Sequence, residues 1–242
     1  MLKIEHLTKI YGIKKAVDDL SLEINDGEIY AFIGHNGAGK TTTLKSCAGI
    51  LKFDEGEIYV DGISLKKDPI ACKKLMAYLP DNPDLYNFMT GIKYLNFIAD
   101  AFAMPKDARL KKINEYAETF SIRDNLNQPV SEYSHGMKQK LAIVSALIHD
   151  PKLIIMDEPF VGLDPSSAHT LKLLMRKLCD NGAAIFFSTH VLEVAEKLCD
   201  KVAIIKDGKL VAQGAMEQIA GAEGLENAFL ETLQNEGSAK NA

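Results

Sequence analysis

The chain has no tryptophan, few aromatic residues of any kind (7%), four cysteines and no surplus of positive charge. Each scarcity excludes something. Cys47, Cys72, Cys179 and Cys199 form no C-x-x-C pair and fit no zinc-ligand spacing. Reduced core cysteines are expected, as in a protein of a reducing compartment. Lys+Arg number 28 against 33 Asp+Glu, a formal net charge of −5. That balance argues against a nucleic-acid partner, which calls for a basic face, and against polybasic attachment to lipid. Long apolar runs are also missing. The longest, Leu141 to Ile148, is broken by Ser145 and falls far short of the ~18 residues a membrane span needs. The amino-terminal stretch alternates polar and apolar residues and has no signal-peptide core. Repeats, low-complexity blocks and Ser/Pro/Gly linkers are absent. With 242 residues, 47% of them apolar, the chain buries a core without a disulfide or metal staple. Its length alone allows one large domain or two small ones.

What is present is patterned. The first ~60 residues read as short strands. Leu20 to Ile24 alternates and meets an Asp26-Gly27 turn, and Ile29-Tyr-Ala-Phe-Ile33 is apolar throughout, as in a strand buried on both faces. A glycine-rich loop follows, then a predicted helix over Thr41 to Leu51. From Pro83 to His149 the period turns helical. One stripe is Leu110, Ile113, Ala117 and Phe120, and a second helix is expected over Lys138 to Ile148. Strands return at Leu153 to Asp157 and Ala184 to Ser188, around a helix from Pro165 to Leu178 capped by Asp164. Val202 to Val211 reads as a hairpin turning at Asp207-Gly208. Leu225, Phe229 and Leu233 predict a last helix, and residues 237–242 a frayed end. Apolar strands alternating with helices imply an α/β fold with a mostly parallel sheet, interrupted by an inserted helical subdomain.

Two motifs carry chemistry. Gly34-His-Asn-Gly-Ala-Gly39-Lys40-Thr41 fits G-x-x-x-x-G-K-[ST] and lies between a buried strand and a helix, the context that motif needs. Backbone N–H groups of such a loop turn toward phosphate oxygens, and the helix N-terminus adds partial positive charge. Lys40 is expected to reach the β- and γ-phosphates, the Thr41 hydroxyl to bind Mg²⁺, and Thr42 to make a further phosphate contact. The bland alternative is a glycine-rich turn with a chance lysine. The second motif, Leu153-Ile-Ile-Met-Asp157-Glu158-Pro159, is an apolar strand ending in two acids. Asp157 suits a Mg²⁺ ion, and Glu158 is placed to orient the attacking water or take its proton. Alone, two acids closing a strand would usually be no more than surface groups.

In order along the chain these elements resemble an ATP-binding cassette (ABC) ATPase, and the likeness extends over residues 1 to ~215. It implies a P-loop NTPase with a RecA-like core and an amino-terminal antiparallel β part. The nucleotide-binding core is expected over 1–82 and 153–214, the helical subdomain over 83–152, and a short tail over 215–242. Tyr11 stands where such cassettes carry an aromatic that stacks on adenine. Tyr133-Ser134-His135-Gly136-Met137-Lys138-Gln139 takes the place of the LSGGQ signature, matching it strictly only at Ser134 and Gly136. Gly162-Leu-Asp164-Pro resembles the D-loop, and Ser188-Thr-His190 the switch histidine, which would hold the γ-phosphate geometry. The implied phosphate and cofactor contacts are Gly34, Asn36, Gly37, Ala38, Gly39, Lys40, Thr41 and Thr42, with Ser134, Gly136 and Asp164 acting across a dimer. One position departs from the family. Asp81, in Tyr78-Leu-Pro-Asp81-Asn82, stands where a glutamine is usual. A carboxylate ligates Mg²⁺ but donates no hydrogen bond. Either Asp81 senses the metal or the register shifts by one and Asn82 serves.

The resemblance implies a head-to-tail pair of cassettes, a homodimer or two related subunits, hydrolysing ATP with Mg²⁺. That pair would power transport, of exporter type, through a separate multi-span membrane permease. Residues around Asp84 to Phe102 would dock the permease, and the chain would sit on the cytoplasmic face of the membrane without entering lipid. A cassette acting on ribosomes or DNA is the alternative. It would carry a second cassette, a coiled coil or basic extensions, none of which this sequence shows. A GTPase would need an N-K-x-D-like base reader, also missing.

Overall fold

The computed structural model describes residues 1–234. Leu2–Tyr11 (β1) and Lys14–Ile24 (β2) form an antiparallel hairpin. With Glu55–Val60 (β4) and Ile63–Ser64 (β5) they make a four-stranded antiparallel sheet ordered β2-β1-β4-β5. The second sheet has six strands. Lys209–Ala215 (β10) pairs antiparallel with Lys201–Lys206 (β9). Ile29–Ile33 (β3), Ala184–Thr189 (β8), Leu153–Asp157 (β7) and Met76–Leu79 (β6) follow in that order, all parallel.

Every residue of β3, β7 and β8 is buried, because both faces of this sheet are covered. Side-chain alternation divides the core accordingly. Tyr30, Phe32, Ile155 and Phe186 face the antiparallel sheet and Leu44 of Lys40–Cys47 (α1). Ile29, Ala31, Ile33, Met156 and Phe187 face the opposite layer. That layer contains Gly91–Ala101 (α3), Lys106–Thr119 (α4), His135–Leu147 (α5) and Pro165–Asp180 (α6). A fully buried phenylalanine such as Phe32 or Phe186 contributes about 1.5–3 kcal/mol. The remaining helices are Pro69–Leu75 (α2), Leu192–Leu198 (α7), Met216–Ala220 (α8) and Gly224–Gln234 (α9). Leu225 of α9 is wholly buried, and residues 237–242 lie outside the described part.

Two sequence expectations shift. The helix after the phosphate loop stops at Cys47 rather than Leu51, because Gly49 takes φ 63° and turns the chain. Leu110 of α4 is exposed; the buried face starts at Ile113 and continues through Tyr116 and Ala117, an i, i+3, i+4 set.

Candidate nucleotide site

Five parallel strands, β9, β3, β8, β7 and β6, end on one edge of the large sheet, where ligands of open α/β sheets bind. Their register decides which residues meet. Ile33 lies beside Thr189, Asp157 beside Ser188 and Leu79 beside Met156. The residues that follow, Gly34, His190, Glu158 and Asp81, therefore leave the sheet as neighbours. At this edge opens a cleft of about 220 Å³, lined by Asn36, Gly37, Gly39, Lys40, Thr41, Thr42, Asp81, Asp157 and Glu158, together with His35 and Ala16.

Gly39 is the last residue before α1, at φ 114°. A Cβ there would lie 2.5 Å from the Ala16 carbonyl oxygen, so only glycine fits. Gly34 is similarly confined, with Ile205 O at 2.4 Å from an added Cβ. Neither Gly34 nor Ala38 lines the cleft. The Ala38 side chain is buried, and its backbone bonds His35 O at 3.2 Å and Gly208 N at 2.9 Å. Lys40 is only 6% exposed. Its Nζ donates to Gly34 O at 2.6 Å and His35 O at 3.4 Å, and lies 3.9 Å from Glu158 Oε1. Burial lowers its pKa, while the Glu158 and Asp157 carboxylates push it back up.

Asp157 is 3% exposed and accepts from Ser188 Oγ at 2.5 Å. Glu158 sits at φ 48°, a region that strains a residue with a Cβ and is found at functional sites. It is held there by its own N–H, which donates to Ser188 O at 3.2 Å and Ser188 Oγ at 3.1 Å. Its Oε2 meets His190 Nδ1 at 2.9 Å. Lys40, Glu158 and His190 thus form one chain of contacts, the first two lining the cleft and His190 standing behind Glu158, outside the lining. Asp81 lines that cleft and Asn82 does not.

The signature and D-loop residues lie together but apart from the cleft. Ser134 caps α5, accepting from Met137 N at 3.3 Å. Asp164 caps α6, accepting from Ser167 N at 2.8 Å, and pairs with Lys140 of α5 at 2.9 Å. The Lys140 ammonium and the Ser167 donors hold its carboxyl well below the ordinary range. A Cβ on Gly136 would stand 3.0 Å from Gly162 O, so the two loops are in contact. Tyr11 also stands away from the cleft. It is half exposed at the end of β1, with Lys9 Nζ 5.3 Å from its ring centroid.

Ser188, Ala16 and His35 were not singled out from sequence. Ser188 carries the one readable signal, a hydroxyl at the end of a buried strand two residues before the switch histidine.

An oxygen-rich cleft with a lysine and an open helix N-terminus suits a polyphosphate. Comparison with known proteins agrees. The family model described as "ABC transporter" matches residues 17–161. The uncharacterized ABC transporter ATP-binding protein YhcH of Bacillus subtilis (strain 168) is 37% identical over 212 residues, 87% of this chain and 68% of its own length. A solved structure of an ATP-binding subunit of an ABC transporter superposes with a TM-score of 0.92 at 33% identity, covering 96% of this chain and 99% of that one. The ATP-binding cassette MJ0796, a dimer bound to ADP and Pi after hydrolysis, shares the fold with a TM-score of 0.83 at 24% identity, over 89% and 99% of the two chains. With that family match over residues 17–161, and with Gly34–Thr42, the Asp157–Glu158 pair and His190 gathered at one sheet edge, the chain belongs to the ABC transporter ATP-binding family and is a cassette ATPase.

Proposed function

We propose that two cassettes close head to tail, with each ATP held between the Gly34–Thr42 loop of one and the Ser134–Gly136 and Asp164 region of the other. The observation that carries this reading is the separation described above. The α5 and α6 N-termini are built and capped, yet Ser134, Gly136 and Asp164 do not line their own cleft, which supports their acting on the cleft of a second subunit. A two-fold pair makes that contact reciprocal. ATP touches both halves only in the closed pair, so binding favours closure and hydrolysis removes the preference.

Within the cleft, Lys40 leaves the loop carbonyls for the β- and γ-phosphates, and the amides of Asn36, Gly37, Gly39, Thr41 and Thr42 surround the phosphate oxygens. Tyr11, half exposed at the end of β1, is assigned the contact with adenine. Glu158 orients the attacking water and accepts its proton, with His190 steadying the Glu158 carboxylate and meeting the γ-phosphate. A Mg²⁺ ion fits the donor set. Asp157, Asp81 and Thr41 present only oxygens to the cleft, and a hard cation takes oxygen ligands. When bound, the ion neutralises charge on the β- and γ-phosphates.

The segment 83–152 is proposed as the unit that docks a separate membrane permease. Tyr86, Phe88 and Phe97 are exposed on it, with Tyr86 5.7 Å from Phe88 and 5.5 Å from Phe97 between ring centroids. A clustered aromatic patch marks an interaction surface. Among the described residues no helix is long and apolar enough to cross a membrane. On the family resemblance, the pathway is assigned to a separate permease, with the cassette peripheral on its cytoplasmic side and export as its direction. The test is light scattering of the Glu158→Gln chain with ATP and Mg²⁺. Doubling of mass that Ser134→Arg abolishes is expected. A nucleotide-loaded chain that stays monomeric overturns self-pairing.

A further inference from the structure

Two acids of the cleft share one hydroxyl. Ser188 belongs to β8 and is wholly buried. Register places it beside Asp157 on one side and Phe32 on the other. Its Oγ lies 2.5 Å from Asp157 Oδ1 and 3.1 Å from Glu158 N. A serine hydroxyl has one proton and two lone pairs, an ionised carboxylate only accepts, and a backbone N–H only donates. The proton therefore goes to Asp157 and a lone pair to the Glu158 N–H, which leaves the hydroxyl a single orientation. Asp157 is 3% exposed, so little water reaches its carboxylate and the hydroxyl sets where its oxygens point. Glu158 starts from φ 48°, a strained conformation that persists only where its surroundings over-determine it. Its N–H is divided between Ser188 Oγ and Ser188 O, the latter at 3.2 Å. One side chain outside the cleft lining thus holds the carboxylate of the first acid and the backbone of the second.

We propose that Ser188 is a positioning residue that ties the metal side of the cleft to its base. Its hydroxyl aims the Asp157 carboxylate at the cation and holds the Glu158 backbone so that the Glu158 carboxylate faces the attacking water. The proposal rests on the ATP–Mg²⁺ reading and the Glu158 role given above. Ser188 touches no reacting atom, and no proton passes through it. Ser188→Ala removes the hydroxyl and keeps the strand pairing, and Ser188→Gly removes Cβ as well. A serine with a purely structural part would lower the melting temperature in both variants and leave the chemistry of the folded protein as it was.

The experiment titrates Mn²⁺ into the full chain saturated with the non-hydrolysable analogue adenylyl imidodiphosphate, following bound ion by electron paramagnetic resonance. Turnover is measured separately by phosphate release at saturating Mg²⁺. Ser188→Ala should weaken Mn²⁺ binding about tenfold and lower kcat about tenfold, the scale for losing a group that orients a metal ligand, with KM for ATP unchanged. Ser188→Gly should show both losses, so the result does not hang on the folding of one variant. In a Glu158→Gln background the Mn²⁺ loss should persist in full, because the Asp157 bond does not run through the base. Wild-type Mn²⁺ affinity and kcat in a folded variant overturn the proposal. So does a loss confined to one of the two quantities, or a rise in KM that accounts for the slower turnover. If the wild-type chain binds the analogue without any dependence on the cation, or Glu158→Gln hydrolyses ATP as the wild type does, the underlying reading falls and the proposal with it.

Discussion

Replacing Glu158 by glutamine removes one negative charge and leaves every backbone contact at the site in place. The Glu158 N–H bonds to Ser188 belong to the main chain, and glutamine tolerates φ 48° no worse than glutamate. The variant should fold as the wild type does. Lys40 Nζ and Glu158 Oε1 are 3.9 Å apart and both largely buried, so their gross attraction is about 4 kcal/mol at an effective dielectric of 20. In the loaded cleft the phosphates replace that partner, and the same carboxylate then opposes the γ-phosphate. Removing it should leave ATP affinity equal or somewhat higher, by an amount on the order of 1 kcal/mol. Hydrolysis responds differently. An amide does not accept the water's proton, and loss of a positioned base slows turnover by about 10²–10⁴-fold, or ~3–5.5 kcal/mol of barrier. Calorimetry with ATP and a steady-state phosphate-release assay separate the two quantities. Turnover within about threefold of wild type at saturating ATP would show that Glu158 is not the base, whatever its place in the cleft.

Lys40→Ala should weaken ATP binding by at least about 100-fold, because charge-assisted contacts to phosphate are lost together; unchanged affinity by calorimetry would remove Lys40 from the phosphate site. Gly39→Ala forces a Cβ to 2.5 Å from the Ala16 carbonyl at a positive φ. A loss of about 2 kcal/mol or more should lower the melting temperature by at least ~4 °C, visible by calorimetric scanning. Asp81→Gln should keep or improve hydrolysis if position 81 works at the metal side, and a folded but inactive variant would assign the carboxylate a role of another kind.

The sequence made the central site legible because each part was written into a strand end. Ile29 to Ile33 could only be a doubly covered strand, so the glycines after it had to sit at a sheet edge. Asp157 followed an equally apolar run. The caps Ser134 and Asp164 announced their helices by residue type. What stayed hidden depends on pairing between distant segments. The meeting of Asp157 with Ser188 requires the β7–β8 register, and nothing near either residue encodes it. Leu110 fits a helical period as well as Ile113 does, and only the packing of α4 decides which of them is covered.

The lysine of the phosphate loop has a consequence for how nucleotide affinity should be understood. With Nζ donating to Gly34 O at 2.6 Å, the loop carries an internal competitor for its own cation. ATP arrives as a replacement and must out-compete a carbonyl that is always present at fixed effective concentration. The enthalpy of binding therefore reports a difference between two sets of contacts, and a small measured value is compatible with strong phosphate bonds.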